Sequence, residues 1–504
     1  MRASATRAAA KRAGGPGTGP RVLLVSSEIH PLAKTGGLAD VCAALPRALA
    51  RYGADVRLLM PAYESALDRL RGPRTVAHLG EMLGVPAPRL IEGTMPDSAL
   101  PVWLLDCPAL YRRPGTPYLD ANGGDWPDNW LRFGLLAHAA ARIARGEAHG
   151  AWRPDALHCH DWQTGLAPYL VGRSALPRPR TLFTVHNAAF QGNFPTEHAQ
   201  QLGLPGEALS PEALEFWGRI SFLKAGVRYA DRVNTVSPTY ARELRTPEYG
   251  CGMEGLFEQR AGDLVGILNG IDTELWDPRR ADGIAAHYSA DAPQGKAACK
   301  AALQAELGLA ADPQAPLVAF ASRITWQKMA DVTLERLPAL LAAHPRLQFA
   351  LLGTGERALE RGFQDLAPHF RGRVSVRIAY AEDDEHRLQA GADVLLHGSR
   401  YEPCGLAHKI AMRYGALPVV RRTGGLADTV SEGDNGFMFE APAGEDLQAA
   451  LGRCLATYEH QPGTWGAMRE RAMRGDYSWE RPALEYLRLY AAASATAPAG
   501  SASG

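Results

Sequence analysis

Short apolar runs separated by amphipathic stretches set the rhythm of this chain. RVLLVSSEI (21–29) opens with a near-continuous apolar run, as a strand covered on both faces requires. Behind it Leu38, Val41, Cys42, Leu45 and Leu49 recur at helical spacing, so a turn and then a helix are expected. Strands are predicted again at 55–60, 101–107, 155–161, 181–187, 232–237 and 264–270, with helices between them, among them 128–146 and 211–229. Pro, Asp, Ala and Gly then crowd residues 276–313 and the rhythm pauses. It resumes with strands at 316–323, 347–353, 374–380, 393–399 and 417–422, each followed by a helix, and 444–492 is mostly helical. Alternation of this kind predicts parallel sheets covered by helices, hence an α/β fold class with two doubly wound domains joined near 270–315.

The hexapeptide TGGLAD occurs twice, at 35–40 and at 423–428, each time between a strand and a helix. Paired glycines permit positive φ and let a ligand approach the backbone closely. The helix start that follows offers N–H groups to an anion. Ligands of open α/β sheets bind at the carboxyl ends of strands, where both turns would lie. The plainer reading is a common strand-to-helix link, and the residues alone leave both open.

Composition narrows the partners. The chain has 504 residues, 46% hydrophobic and 21% charged, enough for two or three packed domains. Lys+Arg and Asp+Glu are 54 each, which argues against nucleic acid as the main partner. The seven Cys are scattered, odd in number and form no C-x-x-C pair, so unbridged thiols in a reducing cytoplasm are expected. No apolar run approaches ~18 residues, so no membrane span is expected. The first twenty residues are basic and small but lack an apolar core, which fits a disordered tail or a transit peptide rather than a secretory signal. The last stretch, AAASATAPAGSASG, also reads as disordered.

Candidate chemistry gathers at predicted strand ends. Lys34 precedes the first Gly-Gly turn, where an ammonium beside helix amides would clamp a phosphate, or would simply be a solvated lysine. Arg323 and Lys328 follow a strand in the second half and suit a pyrophosphate, stabilising negative charge on a leaving group, or are a helix-capping or exposed pair. Glu402 stands where a carboxylate would accept hydrogen bonds from a hydroxyl-rich ligand, with Gly405 at a helix start. Cys404 has no local His partner, which argues against a nucleophile. In HCHDWQTG (158–165) His158 and His160 share one strand face, a weak metal pattern without a third ligand nearby in the sequence. Asp161 and Trp162 read instead as a polar partner and a platform for sugar. His186 and Asn187 mark another strand end, and Asn269 and Asp272 mark the last strand of the first domain.

With these stretches in view, the chain resembles bacterial glycogen synthases and their plant starch synthase relatives. The matching pieces run in the family's order from about 21 to 490: SSEIHPLAKTGGLADVCAALPRAL, HCHDWQTGLAPYL, TVHNAAFQG, NTVSPTYARE, GILNGID, SRITWQK, EPCGL and RYGALPVVRRTGGLADTV. The resemblance implies a GT-B fold, two doubly wound Rossmann-like domains facing a central cleft. The implied layout is a disordered tail (1–20), an acceptor-side domain (21–275), a donor domain (276–478), a helix returning to the first domain (479–492) and a second tail (493–504). It implies a retaining transfer of glucose from ADP-glucose to α-1,4-glucan, with no metal or other cofactor, while the balanced charge, the lack of an apolar span and the lack of a signal leave no nucleic acid or membrane partner and a cytoplasmic location expected. By motif match His186, Glu402, Lys328 and Arg323 are the catalytic set. Lys34, Gly36, Gly37, Asp40, Asp161, Asn269, Cys404, Gly405 and Leu406 are the implied substrate-binding set.

The sequence departs from the family pattern around the implied diphosphate site. Met329 stands where Gly is usual, Gly398 where Pro is usual, Tyr401 for Phe, and Ala407-His408-Lys409 for Thr- or Asn-Gln-Leu. A side chain at 329 would crowd the loop if that position needs positive φ, and Lys409 would supply charge in place of the missing hydroxyl or amide. Three other readings compete: the same fold using UDP-glucose or another acceptor, a pyridoxal-phosphate phosphorylase, for which no Schiff-base lysine motif is visible, and a catalytically weakened glucan-binding homologue.

Overall fold

The computed structural model describes residues 19–148, 150, 152–173, 177–379 and 382–491. Of the two tails expected at 1–20 and 493–504, only Gly19 and Pro20 fall among them. The chain forms two compact units. One holds Met1–Val236, Ala241–Gly270 and Trp479–Gly504, the other Ser237–Tyr240 and Ile271–Ser478.

The first unit is built on strands β1 (Arg21–Val25), β2 (Asp55–Pro61), β3 (Arg71–His78), β4 (Arg89–Thr94), β5 (Pro101–Asp106), β6 (Ala156–His160), β7 (Arg180–Val185), β8 (Asn193–Pro195), β9 (Glu215–Phe216), β10 (Arg219–Ser221), β11 (Arg232–Thr235) and β12 (Leu264–Gly266). Among the described residues nine of them form one sheet in the order β12-β11-β7-β6-β1-β2-β5-β4-β3. Val22 to Val25 of β1 are fully buried and pair in parallel with β2 on one side and β6 on the other. The helix Gly37–Arg51 then buries Val41, Cys42, Leu45 and Leu49 against that sheet, with Leu38 left half-buried at its start. The strand order runs outward from β1 in both directions, so the switch point lies between β1 and β6, and their carboxyl-end loops are where a ligand is expected.

Two parts of this unit differ from the sequence expectation. β3 and β4 form an antiparallel edge that the apolar pattern does not show, because β3 is exposed almost throughout and carries no buried run. The predicted helix 211–229 is a helix only over Phe222–Tyr229. Its first half instead holds β9 and β10, which pair with β8 in a small antiparallel sheet and turn at Trp217 and Gly218, both with positive φ, a conformation no helix contains.

The second unit carries β13 (Leu317–Ala321), β14 (Gln348–Gly353), β15 (Val374–Ile378), β16 (Val394–His397), β17 (Leu417–Arg421) and β18 (Phe437–Phe439), all parallel, in the order β15-β14-β13-β16-β17-β18. Its switch point lies between β13 and β16. Phe320, Phe349 and Phe363 stack in the core beneath the helix Ala330–Ala343. The pause at 276–313 contains a helix, Gly295–Glu306, whose Lys296 and Lys300 are buried and donate to backbone carbonyls. Among the described residues no helix is long and apolar enough to cross a membrane.

Candidate active site

In each unit most predicted site residues follow the carboxyl ends of strands at or near the switch point, while Asn269 follows the edge strand β12. In the first unit, the loop after β1 is organised by a residue the sequence reading passed over. Glu28 is buried, and its carboxylate accepts hydrogen bonds from the Thr35 N–H, from Thr35 Oγ1 at 2.9 Å and from Tyr118 Oη at 2.8 Å. Burial raises the Glu28 pKa although these donors pull the other way. The carboxyl thus holds Thr35 in place, and Thr35-Gly36-Gly37 stay exposed at the helix start. Lys34 Nζ lies 2.8 Å from Asp40 Oδ1 on the first helical turn. A Cβ built on Gly36 meets nothing within 4 Å, so this turn is open to a ligand.

The loops after β6 and β7 carry Asp161 and His186. Asp161 has φ 56°, a strained value for a residue with a side chain, and this turns its Oδ1 onto the His186 N–H at 2.7 Å. Burial pushes the Asp161 carboxyl up to about 7, against the pull of the His186 and Asn187 amides. Burial alone pushes the His186 imidazole down to about 3, so it is neutral at physiological pH. His160 Nδ1 lies 2.9 Å from His186 Nε2, while His160 Nε2 is buried without a hydrogen-bond partner. A buried orphan N–H costs more than a buried orphan lone pair. The proton therefore sits on His160 Nδ1 and is donated to His186 Nε2, which leaves His186 carrying its own proton on Nδ1. His158 is engaged otherwise, with Nε2 at 2.7 Å from Thr184 Oγ1 and Nδ1 at 2.8 Å from Tyr490 Oη. His158, His160 and His186 thus form a row of neutral rings, and among the described residues no group of three His, Cys, Asp or Glu is placed to hold a metal. Trp162 is not the exposed platform expected. It is half-buried, its ring 5.0 Å from Phe133 and 5.8 Å from Phe194, and Gly192 packs on its face. Asn269 is buried beyond β12.

In the second unit Lys328 and Glu402, 74 residues apart, form a buried ion pair. The same Glu402 oxygen, Oε2, accepts from His397 Nε2 at 2.9 Å and Ser399 Oγ at 2.9 Å. Burial alone would raise the Glu402 pKa, but Lys328 and His397 outweigh it and hold the carboxyl well below the usual range. His397 is kept neutral by burial and by Lys328. Arg323 lies on the exposed loop after β13, its Nη2 donating to Gln327 at 3.1 Å. Of the two, Lys328 is buried and locked to Glu402, whereas Arg323 is exposed.

Met329 does adopt the left-handed conformation, with φ 54° and ψ 33°, at the start of the helix Ala330–Ala343. Its side chain is fully buried in the core rather than over the loop. A Cβ at Gly398 would lie 3.4 Å from Met329 Cβ and 3.5 Å from its Sδ, so the small residue at 398 makes the room that Met329 fills. Lys409 is also buried, its Nζ donating to Cys404 Sγ at 3.6 Å, and does not reach solvent as expected of a free cation. His408 is buried beneath Gly405, with Nε2 at 2.6 Å from Thr429 Oγ1. Leu406 is half-buried and caps the short helix that begins at Ala407.

The second TGGLAD serves a different purpose from the first. Gly424 has φ 43°, and a Cβ there would lie 1.8 Å from the Glu402 carbonyl oxygen. A Cβ on Gly425 would lie 2.3 Å from the Cys404 oxygen, and the Gly425 N–H donates to the Glu402 carbonyl at 3.1 Å. The two glycines thus seat the 402–404 backbone. Asp428 closes the turn by accepting from Thr239 N and Oγ1 at 2.8 and 2.7 Å.

Residues 21–259 match the family model described as starch synthase catalytic domain, and residues 315–457 match glycosyl transferases group 1. The catalytic domain of starch synthase IV from Arabidopsis thaliana, solved bound to ADP and acarbose, superposes with a TM-score of 0.85 at 31% identity, covering 94% of this chain and 99% of that one. A sucrose-phosphate synthase from Thermosynechococcus elongatus shares the fold at 19% identity, with a TM-score of 0.57. The class is therefore a glycosyltransferase of the GT-B fold. Glycogen synthase of Burkholderia thailandensis is 57% identical over 93% of this chain and 90% of its own length, and that of Thioalkalivibrio sulfidiphilus 45% identical over 93% and 99%. The chain belongs to the bacterial glycogen synthase family.

Proposed function

We propose that this chain transfers glucose from ADP-glucose to the non-reducing 4-hydroxyl of an α-1,4-glucan with retention at the anomeric carbon, in the cytoplasm. The observation that carries the reading is the buried Lys328–Glu402 pair with His397 and Ser399 at the switch point of the second unit. An ammonium has three donors, so Lys328 can keep Glu402 and still face a diphosphate, while Glu402 has the capacity to accept from sugar hydroxyls. Arg323 and Lys328 supply positive charge to the departing diphosphate. In the transfer, the bond from C1 to the diphosphate oxygen breaks and its electron pair leaves with ADP. The acceptor 4-hydroxyl oxygen bonds to C1 on the same face, and its proton passes to the leaving phosphate. His186, neutral and with its proton on Nδ1, serves as a hydrogen-bond donor to sugar rather than as an acid. The ADP in the starch synthase structure supports adenine as the base. The seven unbridged cysteines, six of them buried, fit a reducing compartment.

The test is glucose incorporation into glycogen from ADP-glucose beside UDP-glucose, with and without EDTA. Transfer preferring ADP-glucose, indifferent to EDTA and lowered about a hundredfold or more in Glu402→Ala and Lys328→Ala, is the expected result. Equal or better transfer from UDP-glucose, or full activity in both variants, refutes it.

A further inference from the structure

The turn that interrupts the predicted helix 211–229 has a composition its geometry does not ask for. β9 and β10 are joined by two residues, Trp217 and Gly218, with φ 51° and 75°. A two-residue hairpin with both φ positive favours Asn-Gly, because a large side chain at the first position is strained. Here that position holds a Trp that is 82% exposed. Strain and exposed apolar surface are both unfavourable to folding, and what Trp217 gains in ring contact is an edge-on approach to Phe216.

The turn is rigidly mounted. The Glu215 carboxylate accepts from the Gly218 N–H, and buried Lys224 donates to the Glu215 carbonyl. It is also tied to the loop that carries His186. The Gln191 carbonyl accepts from Ser221 Oγ at 3.2 Å, and Gln191 Nε2 donates to the Cys251 carbonyl at 2.9 Å. Gly252 then lies beside the turn, where a Cβ would sit 3.2 Å from Phe216 Cζ and 3.6 Å from Trp217 Nε1. On the His186 side of Gln191 stands Phe190, 53% exposed, its N–H bonded to the Asn187 carbonyl at 3.2 Å. Exposed rings thus continue outward from the His186 loop onto the hairpin.

We propose that Trp217, with Phe190, is a docking platform for the α-glucan acceptor chain beyond its reacting end. This deepens, and rests on, the glucan reading above. An aromatic face offers a flat apolar surface to the C–H face of a pyranose, needs no charge, and suits a neutral polymer that slides by one residue per transfer. A rigid Trp adds contact area without an ordering cost.

The test compares the parent with Trp217→Asn, which restores the residue the turn prefers, and Trp217→Ala. Migration in native gels containing glycogen gives affinity without any donor. Initial rates give kcat/KM for glycogen relative to maltotriose. Trp217→Asn is expected to melt at or above the parent's Tm while its glycogen retention and its glycogen-to-maltotriose ratio fall by about fivefold or more. Retention and ratio equal to the parent's in a folded variant overturn the platform. A parent that shows Trp217-dependent retention but no glucose transfer supports the platform and overturns the transferase reading instead.

Discussion

Asp161 and Glu402 are both buried carboxylates, and their surroundings push them in opposite directions. Lys328 faces Glu402 and keeps it charged, whereas Asp161 meets two amides, no cation, and the distant charge of Glu28. The folded protein therefore holds the Asp161 proton up to about 7, while the unfolded chain releases it near 3.8. The stabilisation from this proton is full below the lower value and is lost as pH rises through the upper one. Asp161→Asn keeps an acceptor for the His186 amide and has no proton to lose. Its Tm is expected to fall less than the parent's between pH 5 and pH 8 by scanning calorimetry, and an equal fall in both proteins would refute the assignment. Lys34, Asp161, His186, Arg323, Lys328 and Glu402 could be singled out in the sequence because each follows a predicted strand, and the structure places each beyond the carboxyl end of one. The bond between Lys328 and Glu402 was not, since sequence shows no pairing across 74 residues. Glu28 and His397 were missed because each sits inside or just beyond an apolar strand and reads there as an interruption.

Elements were legible where both faces of a strand are covered. β1, β2, β7, β13, β14 and β17 all appear as apolar runs. The exposed edge strand β3, its short neighbour β4 and the small β8-β10-β9 sheet were illegible because short or exposed antiparallel strands carry no such run. The repeated hexapeptide shows the limit of local sequence, since its copies meet opposite demands. Gly425→Ala would drive a Cβ into the Cys404 backbone and is expected to cost about 1–3 kcal/mol or more in chemical denaturation, with loss of transfer. Gly36→Ala has open space and extended φ, so its stability should stay within about 1 kcal/mol of the parent. If a ligand approaches that turn closely, transfer by Gly36→Ala falls about tenfold or more at unchanged Tm, and undiminished transfer would remove the first turn from the site.

At the scale of the whole molecule, the last described helix, Glu480–Ala491, belongs to the first unit. It does more than cover a surface. Tyr490 Oη donates to His158 Nδ1 at 2.8 Å, and Tyr486 Oη accepts from Asn234 Nδ2 at 2.9 Å, while Thr184 links His158 to Asn234 at 2.7 and 2.6 Å. Five polar side chains are satisfied together inside an apolar sheet face. Tyr490→Phe leaves His158 Nδ1 without its donor and is expected to destabilise the first unit by about 1–3 kcal/mol, read as a lower unfolding midpoint. An unchanged midpoint would show the network to be incidental.

That network also sets an order of events during synthesis. The histidine row and Asn234 leave the ribosome early, but the two tyrosines that complete their hydrogen bonds follow Ile271–Ser478 in the chain. The second unit is nearly contiguous and can close as it emerges, whereas the first stays unfinished until Tyr486 and Tyr490, which follow it in the chain, have been made. A chain cut just before residue 480 would hold all of the second unit and leave the first still awaiting its tyrosines.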